Sequence, residues 1–285
     1  MTESWLGVDL GGTNLRVGLV QKHTLQAVKN RTVPKTNESR QVYKTLVELI
    51  REVITDDVKG IGVAVPGAVD HQRGIVYNLQ NIPSWHEVPL KMLLEKEFDR
   101  PAEINNDANA FVIGEKYFGQ ARDYNNVVGL ILGTGLGSGI LMNGHLYTGS
   151  NGGAGEFGML PYREGILEEY CSGKFFHRKA DISGQEAAQL FRKGDSSARQ
   201  LFEEFGRHLG NALKMIVYAI DPHLIILGGS VSKSYPLFKG SMFNVLNSLV
   251  FPRTLTRLQI TCSTEEHIAI LGAAALCIHQ HSLEK

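Results

Sequence analysis

Three glycine-rich turns, each directly after an apolar strand pattern, constrain this chain more than any other feature of its sequence. They are DLGGTN at Asp9–Asn14, GTGLGSG at Gly133–Gly139 and LGGS at Leu227–Ser230. Glycine turns expose backbone N–H groups, and a phosphate or a base can approach them closely. None matches the P-loop or the Rossmann GxGxxG fingerprint. The alternative interpretation is that the glycines only close hairpins.

The order of the predicted elements indicates an α/β protein with a duplicated lobe. Trp5–Val20 reads as a strand, a turn and a strand, and Val127–Met142 repeats that arrangement. A buried strand at Gly60–Val65 precedes a turn-rich stretch that runs to about Pro89. Apolar periodicity predicts helices that begin at Ser39, with Ser39 as a cap, and that span Pro89–Phe98, Leu201–Ile220 and Ile268–Ile278. The sequence contains no low-complexity linker, so it favours two lobes with a cleft between them over separate domains joined by a flexible segment.

Composition excludes several classes of protein. The 285 residues contain 29 Lys plus Arg and 29 Asp plus Glu, so no net charge attracts nucleic acid or an anionic membrane. The three cysteines form no CxxC, which predicts neither a disulfide framework nor a cysteine zinc site. The N-terminal segment MTESWLGVDLGG lacks the basic and apolar regions of a signal peptide, so we expect a cytoplasmic protein.

Asp9 ends the first apolar strand, immediately before Gly11 and Gly12. A carboxylate at this position can hold Mg²⁺, directly or through water, against a nucleotide phosphate. Thr13 and Asn14 add hydrogen-bond donors beside it. The alternative is that Asp9 only favours the turn through bonds between its side chain and the backbone.

The segment INNDANAFVIGE places Asn105, Asn106, Asp107 and Asn109 at a strand-to-helix junction. Asp107 can accept a proton from a substrate hydroxyl, and Asn106 can orient that hydroxyl. Helix capping is the alternative, because Asn and Asp are both favoured at helix N-termini. Capping requires only one such residue, so four of them favour a polar site.

Two glutamates stand in turn-rich surroundings, Glu156 in GGAGEFG and Glu168 in ILEEYCSG. Carboxylates that converge on a polyol accept bonds from its hydroxyl groups, which is how a polar pocket recognises a sugar. The alternative for each glutamate is a solvated position on the surface.

Together these segments resemble the ROK family of bacterial sugar kinases, within the superfamily of actin, hexokinase and Hsp70-like ATPases. The resemblance covers nearly the whole chain and rests on motifs in a fixed order: DLGGTNLR, VPGAVD, NLQNIPSW, INNDANA, LGTGLGSGILMNGHLYTGSNGGAGEFG, LEEYCSG, LILGGSVS and LGAAAL. It implies an α/β protein of the actin-like ATPase fold, in which two ribonuclease-H-like lobes with mixed sheets bind ATP and Mg²⁺ between them and close over a hexose. We accordingly predict lobes at 1–107 plus 272–285 and at 108–271, and a homodimer.

The resemblance also implies a role for each matching residue. Asp107 matches the catalytic base, Asn106 and Asn81 match sugar-binding residues, and Glu156 and Glu168 match the acceptors of sugar hydroxyls. The residues that match the ATP site fall into a first phosphate segment, a second one and an adenosine segment: Asp9, Gly11, Gly12, Thr13 and Asn14; Gly133, Thr134 and Gly135; and Gly228 and Gly229. Asp9 is the residue expected to face Mg²⁺.

One departure from the family pattern affects the expected substrate. The family places a zinc-binding His after GExG, followed by a CxCGxxGC loop, whereas here Met159 is followed by Leu160–Ile166. No zinc site is therefore expected, and Met159 cannot replace the sugar contact of the His. The reaction that the resemblance implies is ATP-dependent phosphorylation of a hexose. Glucose, which would become glucose 6-phosphate, is the first candidate substrate. N-acetylglucosamine, N-acetylmannosamine, fructose and allose remain open, as do a sugar-responsive regulator and a non-catalytic sugar-binding protein.

Overall fold

Two mixed β-sheets with the same strand order organise the chain in the computed structural model, which describes residues 3–36, 38–79 and 81–283. The residues separate into two compact units. The first contains Met1–Asp123, Thr148–Ala154 and Thr264–Lys285, and the second contains Tyr124–Tyr147 and Gly155–Ser263. The first unit thus extends past residue 107, where the sequence-based division placed its boundary.

The first unit is built on a five-stranded sheet. Its strands and helices are β1 (Ser4–Leu10), β2 (Asn14–Gln21), β3 (Thr24–Thr32), α1 (Ser39–Arg51), β4 (Val58–Val65), β5 (Ala68–Asp70), β6 (Ile75–Tyr77), β7 (Glu87–Val88), α2 (Leu90–Phe98), β8 (Ala102–Asn106), α3 (Asp107–Tyr117) and the C-terminal helix α10 (Ile268–Leu283). The strand order is β3-β2-β1-β4-β8, with β1, β2 and β3 antiparallel and β1, β4 and β8 parallel. Strands β5, β6 and β7 form a small antiparallel sheet.

Glycines allow α10 to pack directly against this sheet. A Cβ atom at Gly7 of β1 would lie 2.0 Å from the Ile270 carbonyl oxygen, and one at Gly62 of β4 would lie 1.8 Å from that of Ala273. Helix α3 approaches α10 in the same way, because a Cβ atom at Gly272 would lie 2.2 Å from the Ala110 carbonyl oxygen. This close packing explains why α3 and α10 both belong to the first unit.

The second unit repeats the sheet. Its elements are β9 (Val127–Leu132), β10 (Leu136–Met142), β11 (His145–Leu146), β12 (Pro161–Tyr162), β13 (Gly165–Ile166), α4 (Leu167–Cys171), α5 (Lys174–Ala180), α6 (Gly184–Arg192), α7 (Ser196–Ile220), β14 (Leu224–Gly228), α8 (Tyr235–Leu246), α9 (Pro252–Arg257) and β15 (Gln259–Cys262). The order β11-β10-β9-β14-β15 has the same succession of antiparallel and parallel pairs as the first sheet. The predicted duplication and the α/β class are confirmed.

Local predictions differ from the structure mainly at helix starts. Ser39 is the first residue of α1 rather than its cap, because Glu38 has the extended backbone of an N-cap and provides no capping side chain. Helix α7 begins at Ser196, where the Asp195 side chain accepts a bond from the Ala198 N–H. No helix within the described ranges combines the length and apolar character that a membrane crossing requires.

Candidate active site

The turn between β1 and β2 holds the first group of predicted residues. The Gly11 N–H donates to the Asn14 carbonyl at 2.9 Å and closes the turn. The antiparallel register places Asp9 opposite Arg16, whose Nε and Nη2 both donate to Asp9 Oδ2, at 2.9 and 2.5 Å. Because both bonds go to one oxygen, Oδ1 keeps acceptor capacity for a cation or its water, as the predicted magnesium role requires.

Gly12 brings this turn against Asn81. A Cβ atom at Gly12 would lie 2.3 Å from Asn81 Cβ, so only glycine leaves room for this contact. Asn81, Thr13 and Asn14 are exposed. A residue predicted to bind sugar and a turn predicted to bind phosphate are therefore neighbours in the first unit.

Asp107 begins helix α3 at the end of β8 and is partly buried. Asn106 caps the helix, since its side-chain oxygen accepts the Ala108 N–H at 2.8 Å and its Nδ2 donates to the Gly67 carbonyl at 3.1 Å. The capping interpretation is thus correct for Asn106, which still has a second amide hydrogen for a ligand. The Asp107 carboxylate stands at the positive end of the helix dipole, beside a side chain that is held at two points.

Asn105 and Asn109 form a separate, buried pair. Asn105 Oδ1 accepts the Asn106 N–H at 2.8 Å and the Asn109 side-chain amide at 2.9 Å. These bonds fix the junction between β8 and α3, so Asn105 and Asn109 have structural roles in addition to the cap that Asn106 provides.

The second glycine turn, Gly133–Gly135, joins β9 to β10 and packs against the segment between α4 and α5. The Gly133 N–H donates to the Gly135 carbonyl at 3.0 Å, and the Gly173 N–H donates to the Gly133 carbonyl at 2.8 Å. The Ser172 hydroxyl lies 3.1 Å from the Thr134 carbonyl oxygen. A Cβ atom at Gly135 would lie 2.5 Å from Glu168 Oε2, so this turn and a predicted sugar-binding residue are in direct contact.

Glu168 is held by partners on both carboxylate oxygens. Oε2 accepts the Leu136 N–H at 3.0 Å, and Oε1 pairs with Lys174 Nζ at 2.5 Å. Sequence reasoning missed Lys174, although a cation six residues after Glu168 in LEEYCSGK was a visible signal.

Glu156 stands at the start of the short 3-10 segment Phe157–Met159, and the Ser138 hydroxyl of β10 fixes the preceding Gly155 carbonyl. Its side chain is exposed, yet neighbouring atoms displace enough water to raise the pKa of its carboxyl, and the charge of Glu168 raises that pKa further. The Met159 N–H donates to the Glu156 carbonyl at 3.1 Å. Met159 is 51% exposed, and its backbone closes the short turn that begins at Glu156.

The third glycine turn adjoins the second. Gly228 ends β14 and pairs in parallel register with Ile131 of β9. Gly229 has φ +84°, and a Cβ atom there would lie 2.5 Å from the Leu132 carbonyl oxygen. Carboxyl ends of neighbouring parallel strands meet at one sheet edge, where α/β proteins bind ligands, and both predicted ATP segments of this unit lie there.

The β12–β13 hairpin occupies the segment where the resemblance placed a cysteine loop. Its Tyr162 hydroxyl lies 3.0 Å from Nδ1 of the buried His208 of α7. Within the described part of the chain, no group of three or more His, Cys, Asp or Glu side chains is arranged to hold a metal ion.

Two such sheets, with glycine turns at the ends of their strands, define a protein of the actin-like ATPase fold. A sequence model of the ROK family matches residues 5–280. The chain belongs to the ROK family.

Curated relatives include kinases and regulators. The chain is 31% identical to a glucokinase of Thermotoga maritima, over 95% of this chain and 96% of that protein. It is 31% identical to an N-acetyl-D-glucosamine kinase of Pectobacterium carotovorum, over 80% of this chain and 84% of that protein. It is also 29% identical to a xylose repressor of Bacillus spizizenii, over 97% of this chain and 74% of that protein.

A solved structure with the same fold carries ligands. The ROK family glucokinase of Streptomyces griseus in complex with glucose and AMPPNP superimposes with a TM-score of 0.80 and 26% identity, and the match covers 96% of this chain and 98% of that one. The chain is thus similar to sugar kinases over almost its entire length.

Proposed function

We propose that this protein phosphorylates a hexose with ATP, and that glucose, converted to glucose 6-phosphate, is its first candidate substrate. The observation that carries the proposal is the Asp107 carboxylate at the start of α3, beside an Asn106 side chain that two hydrogen bonds hold in place. Phosphoryl transfer needs a positioned base for the attacking hydroxyl and needs no covalent nucleophile from the protein. The similarity to the Thermotoga maritima glucokinase supports this reaction.

Each residue of the proposed sugar site has a role that follows from its functional group. Asp107 accepts the proton of the attacking sugar hydroxyl. The oxygen of that hydroxyl bonds to the γ-phosphorus of ATP, and the bond between the γ-phosphorus and the leaving ADP breaks. Asn106 donates its second amide hydrogen to the sugar. Glu156 and Glu168 accept bonds from sugar hydroxyls, and Asn81 adds an amide at the first turn.

The nucleotide is assigned to the three glycine turns. A Cβ atom at Gly12, Gly135 or Gly229 would collide with a neighbouring residue, so only glycine permits these tight turns, whose backbone N–H groups are the ones that would bind phosphate. Bound Mg²⁺ would neutralise charge that develops on the phosphates. Asp9 fits that ion through its Oδ1, since Arg16 occupies only Oδ2.

A second candidate substrate class is an N-acetylhexosamine. Met159 is 51% exposed and its N–H bonds to the Glu156 carbonyl, so it would present an apolar thioether to the sugar where a hydrogen-bonding side chain would favour a hydroxyl. An acetamido methyl group suits such a surface, and one relative is an N-acetyl-D-glucosamine kinase. The similarity to a xylose repressor keeps a sugar-responsive regulator as the candidate from another class.

The test is ADP release from ATP and Mg²⁺ with a panel of hexoses and N-acetylhexosamines. We expect turnover on at least one sugar and a loss of roughly a hundredfold to ten-thousandfold in Asp107→Ala, the usual contribution of a general base. Asp99→Asn is the matched control, because it removes an exposed carboxylate of the same unit at a left-handed position that asparagine tolerates. Full activity of Asp107→Ala, or no turnover by the folded wild type, contradicts the proposal.

A further inference from the structure

Lys174 lies between the predicted sugar-binding carboxylate and the second glycine turn. Its ammonium is 2.5 Å from Glu168 Oε1, and the other oxygen of that carboxylate borders Gly135. The neighbouring Gly173 N–H donates to the Gly133 carbonyl at 2.8 Å. The backbone next to Lys174 is therefore bonded to the turn assigned to phosphate, and its ammonium is bonded to a carboxylate that borders the same turn.

The two side chains of this ion pair differ in burial and in their other hydrogen bonds. Glu168 is 15% exposed and is anchored through the Leu136 N–H at 3.0 Å, whereas the Lys174 side chain is 50% exposed. Ion pairs in contact with water are weak, and a lysine side chain has many rotamers. Lys174 can thus leave Glu168 without disturbing the anchor of the carboxylate.

We propose, on the basis of the function proposed above, that Lys174 changes partners during substrate binding. In the sugar-free protein it pairs with Glu168. When a sugar hydroxyl bonds to Glu168, the ammonium moves to the nucleotide phosphates at Gly133–Gly135. Lysine binds phosphate as a compact positive charge, and the polyanion attracts it more strongly than one carboxylate that already has a hydrogen-bond donor.

The consequence is positive coupling between sugar and nucleotide. Sugar releases the cation that phosphate needs, and by thermodynamic linkage the nucleotide must improve sugar binding by the same factor. Lys174 is accordingly a nucleotide-binding residue that acts only after Glu168 has been engaged.

The experiment measures AMPPNP–Mg²⁺ binding by calorimetry in the absence of sugar. Glu168→Gln keeps an acceptor for the Leu136 N–H but removes the charge that holds Lys174. We expect Glu168→Gln to bind AMPPNP at least fivefold more tightly than the wild type, as bound sugar would cause. Lys174→Met should bind it nearly as the wild type does, and the double variant should lose the gain.

The same titration with saturating glucose, or with whichever panel sugar releases most ADP, completes the test. Sugar should tighten AMPPNP binding at least fivefold in the wild type and less than twofold in Lys174→Met. Lys179→Met is the matched control, because Lys179 also lies on α5 and pairs with a glutamate, Glu204, at 2.7 Å. It should keep the coupling of the wild type.

Two results would overturn the inference: coupling that survives in Lys174→Met, or a Glu168→Gln variant that binds AMPPNP no more tightly than the wild type. Both are distinct from failure of the proposed kinase activity, which would appear as no ADP release on any sugar. The sugar-free titrations do not depend on that activity.

Discussion

The Tyr162 hydroxyl lies 3.0 Å from Nδ1 of His208, and this contact fixes the β12–β13 hairpin to helix α7. Asn211 Nδ2 donates to the same hydroxyl at 3.2 Å. The Glu204 carboxylate on the other side of the ring can only accept, which assigns the single proton of the neutral imidazole to Nε2 and makes Nδ1 the acceptor of the Tyr162 O–H. His208 Nε2 lies 3.4 Å from Glu204 Oε1. Burial lowers the pKa of His208 and favours this neutral form.

Tyr162→Phe should therefore destabilise the protein although it removes a single oxygen. His208 is 3% exposed, and its Nδ1 would be left buried without a partner, which costs about 1–3 kcal/mol of the free energy of unfolding. Urea denaturation measures the loss. Tyr147→Phe, at a tyrosine 47% exposed, is the control and should change stability by less than about 0.5 kcal/mol. Equal stabilities for the two variants would show that the Tyr162–His208 bond contributes nothing.

The second prediction concerns the packing of α10 on the first sheet. Gly62→Ala places a methyl group 1.8 Å from the Ala273 carbonyl oxygen, so backbone must move at a cost of about 1–3 kcal/mol or more. Gly240→Ala is the control, because Gly240 is exposed within α8 and its Cβ atom would meet nothing within 4 Å. It should stabilise the protein by about 0.5–1 kcal/mol through the higher helix propensity of alanine. Denaturant midpoints of the two variants should move in opposite directions.

The parts of this fold that the sequence predicts are those determined by residues close together in the chain. The β1–β2 hairpin follows from an apolar strand, a glycine turn and a second apolar strand, and the junction of β8 with α3 follows from Asn106 and Asp107. Strands β5, β6 and β7 cannot be predicted from the sequence pattern. Each has only two or three residues, which are too few to show an alternation of apolar and polar side chains.

Contacts between distant residues could not be predicted in this way. Nothing near Gly62 in the sequence indicates that the Ala273 backbone will lie against it, and nothing near Tyr162 points to His208. The candidate sugar-binding residues were found by motif, but the Lys174–Glu168 pair was not, because it depends on how α4 and α5 meet at the second glycine turn.

The third prediction is a pH dependence of sugar binding. Glu156 must be ionised to accept bonds at both oxygens, and its pKa is raised above the ordinary value of 4.5 by desolvation and by Glu168, itself paired with Lys174. As the pH falls, Glu156 therefore protonates earlier than a free glutamate does, and the KM for sugar should rise. Glu156→Gln should have a KM about tenfold to a hundredfold higher at neutral pH and lose this pH dependence.

Steady-state kinetics between about pH 5 and 8 check this expectation, since the ordinary titration of glutamate lies near the lower end of that range. Glu203→Gln, at an exposed glutamate of α7, should follow the wild-type curve. A Glu156→Gln enzyme with the pH profile of the wild type would remove Glu156 from the sugar site.

The last prediction separates two roles for Asp9. If its carboxylate faces Mg²⁺, Asp9→Asn should lower turnover by roughly a hundredfold, as the loss of one electrostatic group in an active site commonly does. The Mg²⁺ concentration for half-maximal activity should rise as well. If Asp9 serves only its ion pair with Arg16, the variant Arg16→Gln must cause the same loss, because it breaks that pair from the other side. We expect Arg16→Gln to retain the magnesium dependence of the wild type, since the Asp9 carboxylate remains in place. ADP release measured against Mg²⁺ concentration in both variants decides between the two roles.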